Sequence, residues 1–168
     1  MYRGQSIAVV IPAHNESRLL PVTLDGLPAF VDRVIVVDDA STDDTAAVTL
    51  ERGEARVELI RHAENQGVGG AIVTGYRRAL TAMADITVVV GADAQMDPAE
   101  MSSLIDGVVD GEADYIKGDR LGHAEVVKRM PWVRLVGNHA LSRLTSWVTG
   151  YRVRDSQCGY TAISRAAL

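Results

Sequence analysis

The chain has 168 residues, 47% of them apolar and 23% charged, which is the composition of an ordinary globular protein and the length of one domain. Its 17 basic and 22 acidic residues give a formal net charge of −5. This charge argues against a general nucleic-acid-binding protein, because phosphate neutralisation requires clustered lysine and arginine. The single cysteine, Cys158, excludes an internal disulfide and fits a reducing compartment.

The sequence shows no segment that directs a protein across or into a membrane. Its N-terminus lacks the charged, apolar and small-residue pattern of a secretory signal. No apolar run approaches the roughly 20 residues of a membrane span. We therefore expect a cytoplasmic protein, with peripheral contact to the inner face of a membrane left open.

Short apolar segments alternate with segments of helical spacing. The apolar segments predict strands at residues 6–12, 34–37, 57–60, 86–90 and 115–117. The segments between them predict helices at residues 18–27, 42–52 and 69–83, and a further helix opened by Asp97 and Pro98. Strands that are apolar on both faces and separated by helices indicate an α/β fold, with a mostly parallel sheet and helices on both faces.

Polar clusters follow three of the predicted strands: Asn15 with Glu16, Asp38 with Asp39, and the stretch from Asp93 to Asp97. In such folds, ligands bind outside the carboxyl ends of the strands. We therefore expect these side chains to meet at one edge of the sheet.

The acidic cluster after the second strand has two interpretations. Carboxylates of Asp38 and Asp39 would accept hydrogen bonds from a ribose hydroxyl or a base amine, and two adjacent carboxylates after a buried strand are costly without partners. Ser41 or Thr42 would instead cap the next helix, with Asp43 and Asp44 favourable at its positive end.

The loop after the fourth strand offers oxygen ligands for a hard cation. Asp93 and Gln95 are the candidates for Mg²⁺ or Mn²⁺, whereas Asp97 is interpreted as a helix cap. The glycine-rich segment before the third helix is not a dinucleotide fingerprint, because Ile72 stands where the third glycine is required. We expect tight packing there instead.

The second half of the chain carries the basic residues Lys117, Arg120, Arg129 and Arg134, which would meet a phosphate or form a solvated face. The apolar stripe from Val133 to Val148 is interpreted as a core-facing helix. The four histidines show no metal-ligand spacing and are expected to be structural or exposed, and no base is identifiable beside Cys158.

Taken together, these motifs resemble family 2 glycosyltransferases, which have the GT-A fold, and most resemble the polyprenyl-phosphate sugar synthases, such as the dolichol-phosphate mannose synthases. Five segments carry the resemblance in order: VIPAHNE at residues 10–16, VVDDASTDDT at 36–45, NQGVGGA at 65–71, DAQMDP at 93–98 and DSQCGY at 155–160. Ala40 and Asp44 stand where the family often has glycine. The resemblance implies a single glycosyltransferase domain over residues 1–168, truncated at its C-terminus.

The resemblance also implies roles for individual residues. Asp155 and Asp93 would be catalytic, and Asp93 and Gln95 would hold a divalent cation, Mg²⁺ or Mn²⁺. Arg120, Arg134 and Gln157 would face a phosphate or the acceptor. The nucleotide would be held by Pro12, Ala13, Asn15, Glu16, Asp38, Asp39 and Asp93.

The family's metal loop usually begins with an aspartate two places before Asp93, where this chain has Gly91. We expect weaker metal binding for that reason, and tighter binding with an aspartate at position 91 if the loop admits a side chain.

The leading hypothesis is sugar transfer from a GDP-mannose or UDP-glucose type of donor to a polyprenyl phosphate. Transfer to a glycan or small-molecule hydroxyl, and a non-catalytic nucleotide-sugar-binding module, remain alternatives. A dinucleotide oxidoreductase is disfavoured by the broken glycine pattern.

Overall fold

The computed structural model describes residues 1–119 and 131–168, except for the side chain of Arg134. It divides the chain into two compact units. Unit 1 contains residues 1–116 and 160–168, and unit 2 contains the described residues between them. Unit 2 is thus an insertion between two parts of unit 1.

Unit 1 is an α/β sandwich of the predicted kind. Its helices are α1 (Leu20–Gly26), α2 (Thr45–Glu51), α3 (Gly67–Thr81) and α4 (Met101–Val109), the last preceded by a 3₁₀ turn at Pro98–Glu100. The strands are β1 (Ile7–Ala13), β2 (Arg33–Asp38), β3 (Val57–Arg61), β4 (Ile86–Val89), β5 (Tyr115–Lys117) and β6 (Thr161–Ser164). Unit 2 contains one long helix, α5 (Trp132–Thr149), among its described residues.

Within the described residues, the six strands form one sheet in the order β3-β2-β1-β4-β6-β5. Strand β1 pairs in parallel with β2 and β4, and β2 pairs in parallel with β3. Most residues of the central strands are buried, because helices cover both faces of the sheet. This arrangement confirms the predicted mostly parallel sheet.

Strand β6 was not predicted from the sequence, because a polar segment precedes it. It pairs with β4 in the antiparallel direction, with Thr161 opposite Val89 and Ser164 opposite Ile86. Its four residues follow a Gly159–Tyr160 pair and give no long apolar run. Sequence reasoning therefore found the parallel core and missed the strand that extends it.

The predicted capping of α2 is wrong and that of the 3₁₀ turn is confirmed. Helix α2 begins at Thr45, and neither Ser41 nor Thr42 caps it. Asp97 accepts a hydrogen bond from the Ala99 amide at 2.9 Å, with Pro98 in the first position of the turn.

Gly75 brings α3 into direct contact with the central strand of the sheet. A Cβ atom at this position would lie 2.2 Å from Cγ1 of Val10, which is fully buried. We expect Gly75→Ala to destabilise the protein by about 1–3 kcal/mol, because overpacking outweighs the better helix propensity of alanine. Chemical denaturation would measure the difference.

Gly69 lies in the same helix and provides the matched control for that substitution. A Cβ atom added at Gly69 would have no neighbouring atom within 4 Å. Gly69→Ala should leave stability unchanged or raise it by up to about 1 kcal/mol. Equal stabilities of the two variants would contradict the close packing of α3 against β1.

The prediction that the apolar stripe of α5 faces a core is wrong. Its members Val133, Val136, Leu141, Leu144, Trp147 and Val148 are all exposed, and Trp147 is 83% exposed. None of the described helices is both long enough and apolar enough to span a membrane.

Candidate functional site

The loops after β1, β2 and β4 lie at one edge of the unit 1 sheet. Strand register places Ala13 opposite Asp38, and Asp38 opposite Arg61. Because these strands are parallel, the polar clusters that follow them emerge on the same side, as predicted. Pro12 is half-buried and Ala13 is buried, and the Ala13 carbonyl accepts a hydrogen bond from the Asp39 amide at 2.8 Å.

Side-chain hydrogen bonds fasten the loop after β1 to the loop after β2. Ser41 Oγ accepts from the Asn15 amide at 2.9 Å, and Asn15 Oδ1 accepts from the Thr42 amide at 2.8 Å. Thr45 Oγ1 accepts from the Glu16 amide at 2.9 Å. Ser41 and Thr42, which the sequence predicted as helix caps, therefore join the two loops instead.

Asp43 belongs to the same connection. Its carboxylate accepts hydrogen bonds from Thr45 and, at 3.1 Å, from the Ser17 amide. Burial alone would raise the pKa of Asp43, but the hydrogen bonds from Thr45 and Ser17 outweigh it and lower the pKa to about 2. The residue is consequently ionised at neutral pH and keeps the two loops together.

Asp38 is fully buried and both of its carboxylate oxygens have protein partners. Oδ1 accepts from the Ser41 amide at 2.9 Å, and Oδ2 accepts from Arg61 Nε at 2.9 Å. Its predicted contact with the nucleotide stays a prediction. The observed contacts give it the role of shaping the loop that carries Asp39.

Asp39 is the centre of a buried polar network. Its Oδ1 lies 2.6 Å from His62 Nδ1 and 2.9 Å from the Gln66 amide. Burial raises the pKa of Asp39, but hydrogen bonds from Gln66, His62 and Gly67 more than offset this effect, so the pKa is lower than usual. A nearly buried carboxylate is thus kept charged at the ligand edge.

His62 is a site residue that the sequence interpretation treated as merely structural or exposed. A carboxylate only accepts, so His62 Nδ1 carries the hydrogen, and Nε2 can accept from Thr74 Oγ1 at 2.9 Å. The available signal was its position: His62 directly follows β3, which is the neighbour of β2 in the sheet.

The loops after β1 and β4 each carry a carboxylate, Glu16 and Asp93, whose charges act on each other. Burial raises the pKa of Glu16, and the negative charges of Asp93 and Asp43 raise it further. Asp93 Oδ1 accepts a hydrogen bond from the Gln95 amide at 3.2 Å. The carboxylates therefore repel one another at this edge of the sheet, and a bound cation would offset that repulsion.

Three residues other than glycine at this edge have a left-handed backbone. They are Asn15 with φ 57°, Ala40 with φ 58° and Ala94 with φ 54°, one in each of the three loops. Alanine is strained in this conformation and glycine is not, so position 40 is one where the backbone favours glycine. Backbone strain concentrated in loops of this kind is typical of a functional site.

In the loop after β4, Gly91 lies close to the carboxylate of Asp93. A Cβ atom at Gly91 would lie 3.0 Å from Asp93 Oδ1, so an aspartate at position 91 would displace Asp93. In residues 1–119 and 131–168, no three histidine, cysteine or acidic side chains form a metal-binding group. The donor set nevertheless fits a Mg²⁺ or Mn²⁺ ion shared with a diphosphate, since such ions use one or two carboxylates together with substrate phosphates.

The predicted residues of the second half lie in unit 2. Asp155 is 2% exposed, and its Oδ1 accepts from the Gln157 amide at 3.0 Å, while Gln157 itself is exposed. Arg120 and Arg129 lie outside the described residues, and so does the side chain of Arg134. The roles of these residues stay predictions.

Comparison with known proteins places this geometry in a family. The profile of glycosyl transferase family 2 matches residues 8–168. The chain is 34% identical to the UDP-N-acetylglucosamine–dolichyl-phosphate N-acetylglucosaminyltransferase of Methanococcus voltae, over 96% of this chain and 70% of that enzyme. It is 31% identical to the polyprenol monophosphomannose synthase of Mycolicibacterium smegmatis, over 98% of this chain and 63% of that enzyme.

A solved structure supports the same assignment. Glucosyl-3-phosphoglycerate synthase from Mycobacterium tuberculosis, in complex with Mn²⁺, UDP-glucose and phosphoglyceric acid, superposes with a TM-score of 0.71 and 25% identity. The match covers 97% of this chain and 57% of that enzyme, so the chain spans little more than half of its length. This similarity confirms the expected GT-A fold. The chain belongs to glycosyl transferase family 2.

Proposed function

We propose that this chain transfers a sugar from a nucleoside-diphosphate sugar to a polyprenyl phosphate. The observation that carries the proposal is that Asp39, Glu16 and Asp93 lie in the loops that follow three neighbouring parallel strands, at the same carboxyl edge of the sheet. In the reaction, the bond between the anomeric carbon and the β-phosphate breaks, an acceptor oxygen forms the new bond, and the nucleoside diphosphate leaves.

The donor's nucleoside would bind at Asp39. Its carboxylate is charged and is oriented by His62 and the Gln66 amide, which suits a hydrogen bond from a ribose hydroxyl or a base N–H. Pro12, Ala13, Asn15 and Glu16 would line the same pocket from the loop after β1. This network fixes the carboxylate before the donor arrives, which reduces the cost of ordering it.

The diphosphate would bind near Asp93, with a divalent cation held by Asp93 and Gln95. Such a cation supplies a positive charge that stabilises the departing diphosphate. The protein's own contribution is the pair of carboxylates Glu16 and Asp93. Burial raises the pKa of Glu16, the charge of Asp93 raises it further, and this repulsion favours a positive partner. We expect the cation to bind weakly without nucleotide, because Gly91 leaves Asp93 as the one carboxylate proposed as a ligand in the loop, Asp97 being the cap of the 3₁₀ turn.

The acceptor assignment rests on the two sequence relatives, one named for transfer to dolichyl phosphate and the other for the synthesis of polyprenol monophosphomannose. A phosphate acceptor is already anionic and hardly needs a general base. A lipid-linked acceptor would also bring the enzyme to the cytoplasmic face of a membrane.

A second candidate is transfer to a small soluble acceptor, which is favoured by the structural similarity to glucosyl-3-phosphoglycerate synthase. For a hydroxyl acceptor a base is required, and Asp155 would be the candidate.

A transfer assay with radiolabelled donors tests both proposals. UDP-N-acetylglucosamine, UDP-glucose and GDP-mannose would each be supplied with Mn²⁺, and either a polyprenyl phosphate or 3-phosphoglycerate as acceptor. We expect labelled glycolipid with one donor and no labelled phosphoglycerate. Nucleotide binding without transfer to either acceptor would instead identify a non-catalytic binding module.

The Asp155→Asn variant adds a second readout to this assay. Asparagine keeps an oxygen for the Gln157 amide, so the loop should survive. Transfer to a phosphate should remain appreciable, whereas transfer to a hydroxyl should fall by about 10²–10⁴-fold.

A further inference from the structure

Helix α1 begins directly after the loop that carries Glu16, and both belong to unit 1. The Glu16 carbonyl accepts a hydrogen bond from the Leu20 amide at 2.9 Å, which joins this residue to the first turn of the helix. The Thr23 amide donates in turn to the Leu19 carbonyl at 3.0 Å. The position of Thr23 is therefore fixed relative to the backbone of Glu16.

The buried side chain of Thr23 holds the loop after β4 on both sides of Asp93. Thr23 is 4% exposed, and its hydroxyl donates to the Ala92 carbonyl at 3.2 Å and accepts from the Ala94 amide at 3.1 Å. A hydroxyl can donate and accept at once, so this one group bonds to both sequence neighbours of Asp93. Because Ala94 has a left-handed backbone, its conformation depends on such bonds from the surrounding structure.

A second contact fixes the far end of the same loop to α1. A Cβ atom at Gly26 would lie 2.8 Å from Cγ of Pro98, so the helix and the 3₁₀ turn are in close contact there. Within the loop, the Gly91 amide donates to Met96 Sδ at 3.2 Å. Helix α1 therefore supports the segment 92–98 at both of its ends.

We propose that Thr23 is a positioning residue for Asp93: its hydroxyl fixes the backbone on both sides of that carboxylate and so sets its placement relative to Glu16. Both hydrogen-bonding partners of the hydroxyl belong to the loop backbone, so Thr23 acts through Asp93 and not on the donor. A misplacement of about 1 Å can cost about 100-fold in rate. The effect of Thr23 on sugar transfer rests on the proposed function, whereas its anchoring of the loop requires neither donor nor cation.

Thr23→Val removes the hydroxyl and nearly keeps the shape of the side chain. Mn²⁺ would be titrated at saturating UDP or GDP, with free Mn²⁺ followed by electron paramagnetic resonance. We expect about tenfold weaker Mn²⁺ binding, the loss typical of removing a group that orients a metal ligand. Nucleotide affinity without metal should be unchanged, because Asp39 lies in another loop. Thr23→Ser keeps the hydroxyl and should bind Mn²⁺ like the unaltered protein.

Thr49→Val is the matched control for the loss of a buried hydroxyl. Thr49 is 3% exposed, and its hydroxyl donates to the Thr45 carbonyl at 2.8 Å within α2. This variant should bind Mn²⁺ normally. Unchanged Mn²⁺ affinity in Thr23→Val, or an equal loss in both valine variants, would overturn the proposal. Thr23→Ala, which places no methyl group against the two backbone groups, provides the same test if Thr23→Val does not fold.

A double-mutant cycle tests whether Thr23 acts through Asp93. Thr23→Val should lower kcat for sugar transfer by about tenfold with little change in KM for the donor, because the loss concerns charge that develops in the transition state. In an Asp93→Asn enzyme the same substitution should cause no further loss, since the group that Thr23 positions has been removed. Losses that multiply in the double variant would contradict this role.

Hydrogen exchange separates a failure of this inference from a failure of the proposed function. The Ala94 amide loses its acceptor in Thr23→Val and should exchange at least tenfold faster, without donor or cation, but not in Thr23→Ser or Thr49→Val. Unchanged exchange in an enzyme that transfers sugar would retain the proposed function and reject the role of Thr23. Faster exchange and weaker Mn²⁺ binding in a protein that transfers no sugar would retain that role and reject the proposed function.

Discussion

Replacing Asp93 with asparagine should reduce sugar transfer by about 10²–10³-fold at saturating donor, because Asp93 is the carboxylate proposed to hold the cation that stabilises the leaving charge, and losing one such stabilising interaction typically costs this much. Asp93 lies close enough to Glu16 to raise its pKa, in the loop that follows β4. Asparagine keeps the size of the side chain and an oxygen for the Gln95 amide, so the loop conformation should persist. Steady-state transfer rates with Mn²⁺ would measure the effect.

Asp97→Asn is the control from the same loop. Asp97 is exposed and caps the 3₁₀ turn through the Ala99 amide, and asparagine caps as well as aspartate. This variant should transfer sugar at nearly the normal rate. If both variants lost activity equally, the effect would reflect the total charge of the loop and not Asp93, and an unaffected Asp93→Asn enzyme would remove Asp93 from the catalytic residues.

Asp39→Asn should weaken nucleoside-diphosphate binding by about 10- to 100-fold, because a hydrogen bond to a charged group is worth about 1.5–3 kcal/mol. The substitution removes the charge that His62 and the Gln66 amide orient. Isothermal titration calorimetry with UDP and GDP would measure the change. Asp44→Asn makes the same chemical change on an exposed side chain at the other end of the same loop and should bind normally.

The same variant has a pH signature. The pKa of Asp39 is lower in the folded protein than its ordinary value of 3.8, so its ionised form stabilises the fold above that pH. The stabilising contribution is lost as the pH falls through the folded-state pKa. The stability difference between the unaltered protein and Asp39→Asn should thus be constant above about pH 5 and shrink in acid. A difference that grew in acid would contradict the lowered pKa.

The parallel core and its ligand edge could be predicted because both depend on local patterns. Continuous apolar runs identified the buried strands, and the polar residues directly after them had to emerge at one edge. The pairing of Asp39 with His62 could not be predicted in this way, because it joins residues 23 positions apart in the loops after two different strands. The left-handed conformation of Ala40 is also set by neighbouring loops and not by its own preference.

Sequence reasoning was least successful where a pattern has two physical explanations. Serine and threonine before a helix predict a cap, yet Ser41 and Thr42 bind the Asn15 loop instead. An apolar stripe on a helix predicts a core, yet that of α5 is exposed. In the first case the residue types were right for a polar contact and only the three-dimensional arrangement identified the partner, and in the second the arrangement left the apolar side chains exposed.

The position of β6 has a consequence for synthesis of the protein on the ribosome. This strand comes last of the six in sequence, yet it lies inside the sheet, between β4 and β5. Until Thr161–Ser164 has been made, β4 has an unpaired edge with apolar residues such as Val88 on it. The sheet cannot be completed until all of unit 2 has left the ribosome. The nascent chain therefore has an unpaired, aggregation-prone strand edge for the whole time that residues 117–159 are being translated.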